Sequence, residues 1–260
     1  MTKAKLEHGD YIQSLAKGLS IIKAFGQNDP TLTLSEAAKK TGMTRAAARR
    51  FLLTWTHLGY LGTDKKSFWL KPKVLELGER YLTSQPWWSV AQPLIEEAAR
   101  KMGESCSLCI LDGSEIVYIC RVAVSRLIST NISIGSRLPA YTTALGRVLL
   151  AQAPDEDVKA ILTSATLQKY TPNTVVDKRK LLQIIKQVRT DGFCLIDQEL
   201  DLGLIGLAVP VCRSTEGFAA LGVSVHAGRV SAKEMISRLL PILKETADRI
   251  TLGMKRVSAP

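Results

Sequence analysis

The sequence predicts an α+β protein in two parts, and three observations predict it. The first third orders its apolar residues as helix, helix, helix and hairpin. The remainder groups strand-like segments at both ends with helices between them, the pattern of an α+β domain around one antiparallel sheet. A short amphipathic stretch between Pro72 and Pro86 separates the two. At 260 residues the chain has room for two ordinary domains, which we place at 1–72 and 87–260 with a linker helix at 73–86.

Each element follows from its residues. Residues 14–25 place Leu15, Leu19, Ile22 and Phe25 at helical spacing, and GQNDP behind them breaks the chain. Thr33-Leu34-Ser35-Glu36 reads as a capping box for a short helix that buries Leu34, Ala37 and Ala38 and stops at Gly42. Thr44 caps a third helix running to about Leu58, with Gly59 behind it. YLGT and SFWL then flank Asp64-Lys65-Lys66 as a two-stranded hairpin. In the linker, VLELGERYLTSQ sets Val74, Leu77, Tyr81 and Leu82 on one side. Beyond it, Val90, Leu94, Ile95, Ala98 and Met102 mark a helix ended by Gly103. Strands follow in SLCIL, in EIVYICRV after an Asp112-Gly113 turn, and in the ISTNISI region. Helices cover 143–152, 156–162 and 178–189; FCLID, GLAVPV and FAALGVSV resume the strands, and a helix from about Ala232 closes the chain.

Composition narrows the class. Hydrophobic and charged fractions of 46% and 23% are those of a soluble globular protein. No apolar run approaches the roughly 18 residues of a membrane span, and MTKAKLEHGD lacks an apolar signal core, so an intracellular, cytoplasmic protein with no membrane partner is expected. Five cysteines, an odd number, fit a reducing compartment. The net charge of +11 is uneven: residues 1–86 hold 14 Lys+Arg against 7 Asp+Glu, and residues 31–73 hold 9 against 2. An anionic partner would therefore meet the N-terminal end; a merely solubilising basic surface is the alternative.

The third helix separates these readings. Wound at about 100° per residue, Ala48, Phe51, Leu52, Trp55 and Leu58 gather on one side as the seat on a core. Ala46 and Leu53 lie opposite, flanked by Arg49 and Arg50, with Arg45 near the N-terminal edge. Outward arginines around a small residue are what a helix entering the DNA major groove requires, since arginine binds guanine O6 and N7 bidentately. The preceding helix and the tight Gly42-Met43 turn supply helix-turn-helix geometry. The hairpin becomes a wing with Lys65 and Lys66 at its tip for phosphate, and Lys71 and Lys73 behind. The candidate DNA-contacting set is Ser35, Thr44, Arg45, Ala46, Arg49, Arg50, Lys65 and Lys66.

LTLSEAAKKTGMTRAAARRFLLTWTHLGYL resembles the winged helix-turn-helix of the IclR-type bacterial transcription regulators. RLPAYTTALGRVLLA and DQELDLGLIGLAVPV are similar to the two signature segments of that family's effector-binding domain. RLPAY and FAALGVSVHAGRVS look most like the subgroup regulating aromatic-acid catabolism through protocatechuate and the β-ketoadipate pathway. The resemblance implies a GAF- or profilin-like second domain with a pocket for a small carboxylic acid, a regulator without catalysis, and a dimer, or two dimers paired, on pseudo-palindromic promoter DNA. It also places the loop pair of that pocket on Ala144 and Leu145, its acidic site at Asp197 or one residue earlier at Ile196, and its strand pair on Gly222 and Ser224. Some family members carry cysteine where Gly206 stands and serine where Gly222 stands; glycine at both implies an enlarged cavity and a ligand bulkier than a small oxo-acid.

Read from the residues alone, a buried carboxylate needs a paired cation or several donors. Arg121, Arg126, Arg137 and Arg147 are the candidates, Arg121 foremost because it ends the apolar strand EIVYIC; Tyr141, Ser224 and His226 are neutral partners. For each arginine a surface position or an ion pair between subunits competes, and a lone histidine at a strand end is more often structural. Cys106 and Cys109, three apart on a strand, point to opposite faces and do not share a metal, so no metal or cofactor is expected. Trp87 and Trp88 pack at an interface rather than stacking on bases. No nucleophile elbow, P-loop, dinucleotide fingerprint or H-E-x-x-H occurs. Ser224 and His226 would share one strand face, which is poor geometry for a catalytic triad. An enzyme carrying a DNA-binding module and a nonspecific nucleic-acid binder are the competing functions.

Overall fold

Helix α1 (Gln13–Lys23) opens the computed structural model, which describes residues 10–84, 88–124, 132–212 and 217–257. The chain divides between Tyr81 and Leu82 into two compact units. The first runs α1, β1 (Thr31–Thr33), α2 (Leu34–Thr41), α3 (Arg45–His57), β2 (Leu61–Thr63) and β3 (Ser67–Leu70). Thr33 and Glu36 form the capping box, and Gly42 takes φ 65° where α2 stops. Ile21, Leu32, Leu52 and Leu61 are fully buried in its core, each worth roughly 1.5–3 kcal/mol over an exposed position.

Three expectations change here. The buried residues of α1 are Gly18 and Ile21, with Phe25 buried just beyond its end, while Leu15 and Leu19 are 62% and 40% exposed. Gly18 decides this: its carbonyl accepts the Trp55 indole N–H at 2.9 Å, and a Cβ at Gly18 would lie 3.7 Å from the Phe51 ring. Both stripes have helical spacing, and packing against α3 selects between them. The wing has a third strand, because β1 pairs with β3 from Thr31↔Trp69 to Thr33↔Ser67. Leu58 is 48% exposed, so the seat of α3 ends at Trp55. In the wing, Gly62 faces Trp69 across the strands, and a Cβ there would fall 2.4 Å from the indole nitrogen. That close approach requires glycine.

Pro72–Val74 forms a single 3₁₀ turn leading into α4 (Leu75–Thr83). Helix α4 buries none of its residues, and Leu77 and Tyr81 of the expected apolar side are 50% and 38% exposed. Its start is tied to the first unit through Tyr60, whose hydroxyl donates to Glu76 and whose carbonyl accepts the Lys71 amide.

The second unit is one antiparallel sheet between two helical layers. Its strands are β4 (Cys106–Asp112), β5 (Glu115–Val122), β6 (Arg137–Pro139), β7 (Cys194–Asp197), β8 (Leu204–Cys212) and β9 (Phe218–His226), in the order β6-β5-β4-β9-β8-β7. Helices α5 (Trp88–Met102) and α10 (Leu240–Val257) cover one face, α10 following a short α9 (Ala232–Glu234) and a π-turn over Met235–Leu239. Helices α6 (Ala144–Gln152), α7 (Asp155–Ser164) and α8 (Lys178–Asp191) cover the other. The third strand of this part is not ISTNISI: its first four residues lie outside the described ones, residues 132–134 are not strand, and β6 begins at Arg137. The short β6 follows a loop and carries no alternating pattern of its own.

Cys106 packs with α5 and α10 and Cys109 with α6 and α8, so the two thiols point to opposite faces of the sheet. Burial pushes the Cys106 thiol up to about 12. Among the described residues no helix is long and apolar enough to cross a membrane.

Candidate nucleic-acid interface and ligand cavity

Helix α3 presents its charged side away from the core. The Thr44 hydroxyl accepts the Ala47 amide at 3.2 Å and starts the helix, while Ala48 and Leu52 anchor its inner face. Arg45, Ala46, Arg49 and Arg50 are exposed, and none of the three guanidinium groups has an ion-pair partner among the described residues. Ser35 is exposed in the first turn of α2. At the wing tip the Asp64 carboxylate accepts the amides of Ser67 at 2.7 Å and Lys66 at 2.9 Å. Those two bonds hold its carboxyl below the usual range and fold the turn, with Lys65 at φ 78°. Lys65 and Lys66 stay exposed. Lys73 differs from expectation: its ammonium donates to the Leu58 carbonyl at 3.0 Å and lies 5.1 Å from the Tyr60 ring centre, so it braces the hairpin base.

The second unit holds a cavity of about 480 Å³, its open mouth included, at the N-terminus of α6. A glycine sets its shape. A Cβ at Gly146 would fall 2.2 Å from the Ala140 carbonyl oxygen, so only glycine lets the turn over Ala140–Thr142 press against the first turn of α6. The Thr143 hydroxyl accepts the Gly146 amide at 3.0 Å. The amides of Ala144 and Leu145, at the first two helical positions, have no acceptor among the described residues. The lining is Tyr118, Ile132, Leu138, Thr142, Thr143, Ala144, Leu145, Ile196, Leu200, Leu204, Gly206, Leu207, Val223 and Ser224.

Four of the expected residues therefore meet in one wall: Ala144, Leu145, Gly206 and Ser224. A Cβ at Gly206 would lie 3.5 Å from the Ala144 Cβ and 4.0 Å from the Ser224 Oγ, which places all three side by side. Ile196 lines the cavity in place of Asp197, whose exposed carboxylate accepts from the Gln198 amide. Gly222 does not enlarge it. A Cβ there would meet the Leu207 carbonyl oxygen at 2.7 Å and the Leu145 Cδ2 at 3.0 Å, so that space is already filled.

None of the described arginines lines the cavity. Arg147, 3% exposed, donates from Nε to the Tyr141 carbonyl and from both terminal nitrogens to Glu199 at 2.7 and 2.6 Å. Arg137 sits on the exposed sheet edge, paired with Asp112 and Glu115. Arg121 donates to the Ser107 hydroxyl at 3.3 Å. Arg126 and Trp87 lie outside the described residues. The Tyr141 hydroxyl is occupied by the Gln168 amide and carbonyl, each at 2.7 Å. His226 is exposed, its Nδ1 accepting the Gly228 amide. Among the described residues, an anion here would meet amides and hydroxyls rather than a cation. The polar lining that sequence reading missed, Tyr118, Thr142 and Thr143, carries no charge to draw attention, although both threonines adjoin the Ala144-Leu145 pair.

Comparison with known proteins adds the following. The family profile of the IclR helix-turn-helix domain matches residues 14–65, and that of the bacterial transcriptional regulator IclR C-terminal domain matches residues 79–252. The chain is 43% identical over 236 residues to the Pca regulon regulatory protein of Pseudomonas putida, covering 90% of this chain and 81% of that one. It is 36% identical over 248 residues to the p-hydroxybenzoate hydroxylase transcriptional activator of Acinetobacter baylyi, covering 93% and 91%. The crystal structure of a transcriptional-regulator candidate from Rhodococcus sp. RHA1 superposes with a TM-score of 0.85 at 45% identity, covering 95% of this chain and 100% of that one.

Proposed function

This chain belongs to the IclR family of bacterial transcriptional regulators, and from that premise we propose that it switches an aromatic-acid catabolic operon in response to a small organic acid. The observation that carries the DNA half is the exposed arginine face of α3, unpaired among the described residues, seated on Ala48 and Leu52 and accompanied by a basic wing tip. Arg45, Arg49 and Arg50 read base edges while Lys65, Lys66 and the capped starts of α2 and α3 hold phosphates. The protein works in the cytoplasm as a dimer, or two dimers paired, because a two-fold protein matches a pseudo-palindrome.

The acid lies in the cavity with its carboxylate against the free amides of Ala144 and Leu145, beside Ser224, at the positive end of α6. Glycine at 206 supports a ligand larger than a small oxo-acid, since a side chain there would project between Ala144 and Ser224. The named regulators of aromatic catabolism among the relatives support the same class. Acid binding then alters the spacing of the two α3 helices across the dimer, and no catalytic step is involved.

Selection from a random duplex pool tests the DNA half. It should enrich a pseudo-palindrome whose half-site centres are about 10 base pairs apart or a multiple of that. Equal affinity for selected and random duplexes across a salt titration would remove sequence readout and leave nonspecific binding. For the effector half, 4-hydroxybenzoate, protocatechuate and β-ketoadipate should raise the melting temperature of the full chain, with pyruvate as the contrast.

A further inference from the structure

Tyr118 is 4% exposed, it lines the cavity, and its hydroxyl has no hydrogen-bond partner among the described residues. Buried hydroxyls are almost always bonded, so one left open onto a cavity wall marks a position where something else supplies the partner. The side chain is well fixed at its root. The Tyr118 amide donates to the Ser136 carbonyl at 3.0 Å, and its carbonyl accepts the Gly135 amide at 2.7 Å. Burial pushes its phenol up, well above the usual range, so it remains a neutral donor under physiological conditions.

Its place in the sheet matters. Tyr118 on β5 pairs with Cys109 on β4, which pairs with Ala220 on β9; Ser224 lies four residues further along β9. Two strand spacings and four residue rises put the roots of Tyr118 and Ser224 on the order of 15 Å apart. Ala144, Gly206 and Ser224 neighbour one another at the amide end of the cavity, so Tyr118 belongs to a different part of the wall. Thr142 and Thr143 adjoin Ala144 at the amide end, and Ile132, Leu138 and Leu145 add apolar surface to the lining. The wall therefore offers two polar stations joined by hydrocarbon.

We propose that Tyr118 is a specificity-determining residue that hydrogen-bonds a polar group on the ligand remote from its carboxylate, so that the cavity selects ring-hydroxylated aromatic acids over the unsubstituted parent. The proposal rests on the reading of this cavity as an acid site with the carboxylate at α6. An acid lacking the second group leaves the Tyr118 hydroxyl buried and unmet, and that unmet donor is what discriminates.

Calorimetric titration of the full chain with benzoate, 3-hydroxybenzoate and 4-hydroxybenzoate, repeated on Tyr118→Phe, tests it. The wild type should bind at least one hydroxybenzoate about tenfold more tightly than benzoate. In Tyr118→Phe that ratio should fall to within about twofold while benzoate affinity is retained, because phenylalanine keeps the ring and removes only the donor. A preference that survives unchanged in the variant, or a wild type that does not distinguish the acids, overturns the role of Tyr118 and leaves the acid site standing. A wild type that binds none of the three, nor the other acids above, overturns the acid site itself and this inference with it.

Discussion

Helices α3 and α6 each start behind a threonine whose hydroxyl accepts the helix's third amide, at 3.2 Å from Thr44 and 3.0 Å from Thr143. Each N-terminus is offered here to an anion, yet the surroundings are opposite. Around α3 three arginines stand in solvent without partners among the described residues. Around the start of α6 no cation among the described residues lines the cavity, and the one arginine of that helix, Arg147, is locked to Glu199. The difference matches the two targets proposed for them. A polyanion in water is gathered by mobile surface charge, at the price of steep salt sensitivity. A single carboxylate taken out of water is better met by fixed amides, since a buried unpaired cation would be costly whenever the cavity holds no ligand.

The comparison can be broken at its strongest point first. Glu199→Gln leaves the Arg147 guanidinium buried without its charge partner and should cost about 3–5 kcal/mol in urea unfolding. A loss under about 1 kcal/mol would show the pair to be solvated, and α6 would then be no drier than α3. Next, Arg49→Ala and Arg50→Ala should each weaken operator binding by roughly 1–3 kcal/mol where they meet a base, and lower the salt slope where they meet only phosphate. Operator titrations in which neither variant differs from wild type would misplace the reading face.

Gly206→Val sharpens the other side. Its added methyls project between Ala144 and Ser224 and should weaken aromatic-acid binding by about 1–3 kcal/mol, with operator affinity in the absence of acid unchanged. Unaltered acid affinity would move the carboxylate away from that wall. The smallest effects belong to the caps: Thr44→Ala and Thr143→Ala should each cost about 1 kcal/mol in thermal unfolding. Only the first should also lower operator affinity, and a change in operator affinity from Thr143→Ala without acid present would contradict the separate roles given to the two helices.

How much of this was legible depends on the range of the contact. The capping box at Thr33, the stop at Gly42, the cap at Thr44 and the turn at Asp112-Gly113 were all readable, because each is closed by hydrogen bonds within a few residues. The outward arginines were readable too, since the helical period fixes which residues lie opposite Ala48 and Leu52. The face of α1 was not, because Leu15 and Leu19 satisfy the same period as Ile21, and the choice falls to an indole bonded to a backbone 37 residues away. The cavity was half legible. Ala144 and Ser224 came through resemblance, whereas Arg121, Arg137 and Arg147 lie away from the cavity, for a sequence shows that a cation exists and not what neutralises it.

The sequence by itself determined two helical caps, the basic outer face of α3, the wing and the α+β class, since periodicity and short-range hydrogen bonding act along the chain. Only the tertiary structure decided that Arg147 is buried against Glu199, that Gly222 is filled while Gly206 is open, and that Tyr118 faces the cavity with a hydroxyl unmet among the described residues. These are outcomes of which side chains meet across the sheet, and partners such as Arg147 and Glu199, 52 residues apart, are chosen by packing that no local pattern encodes.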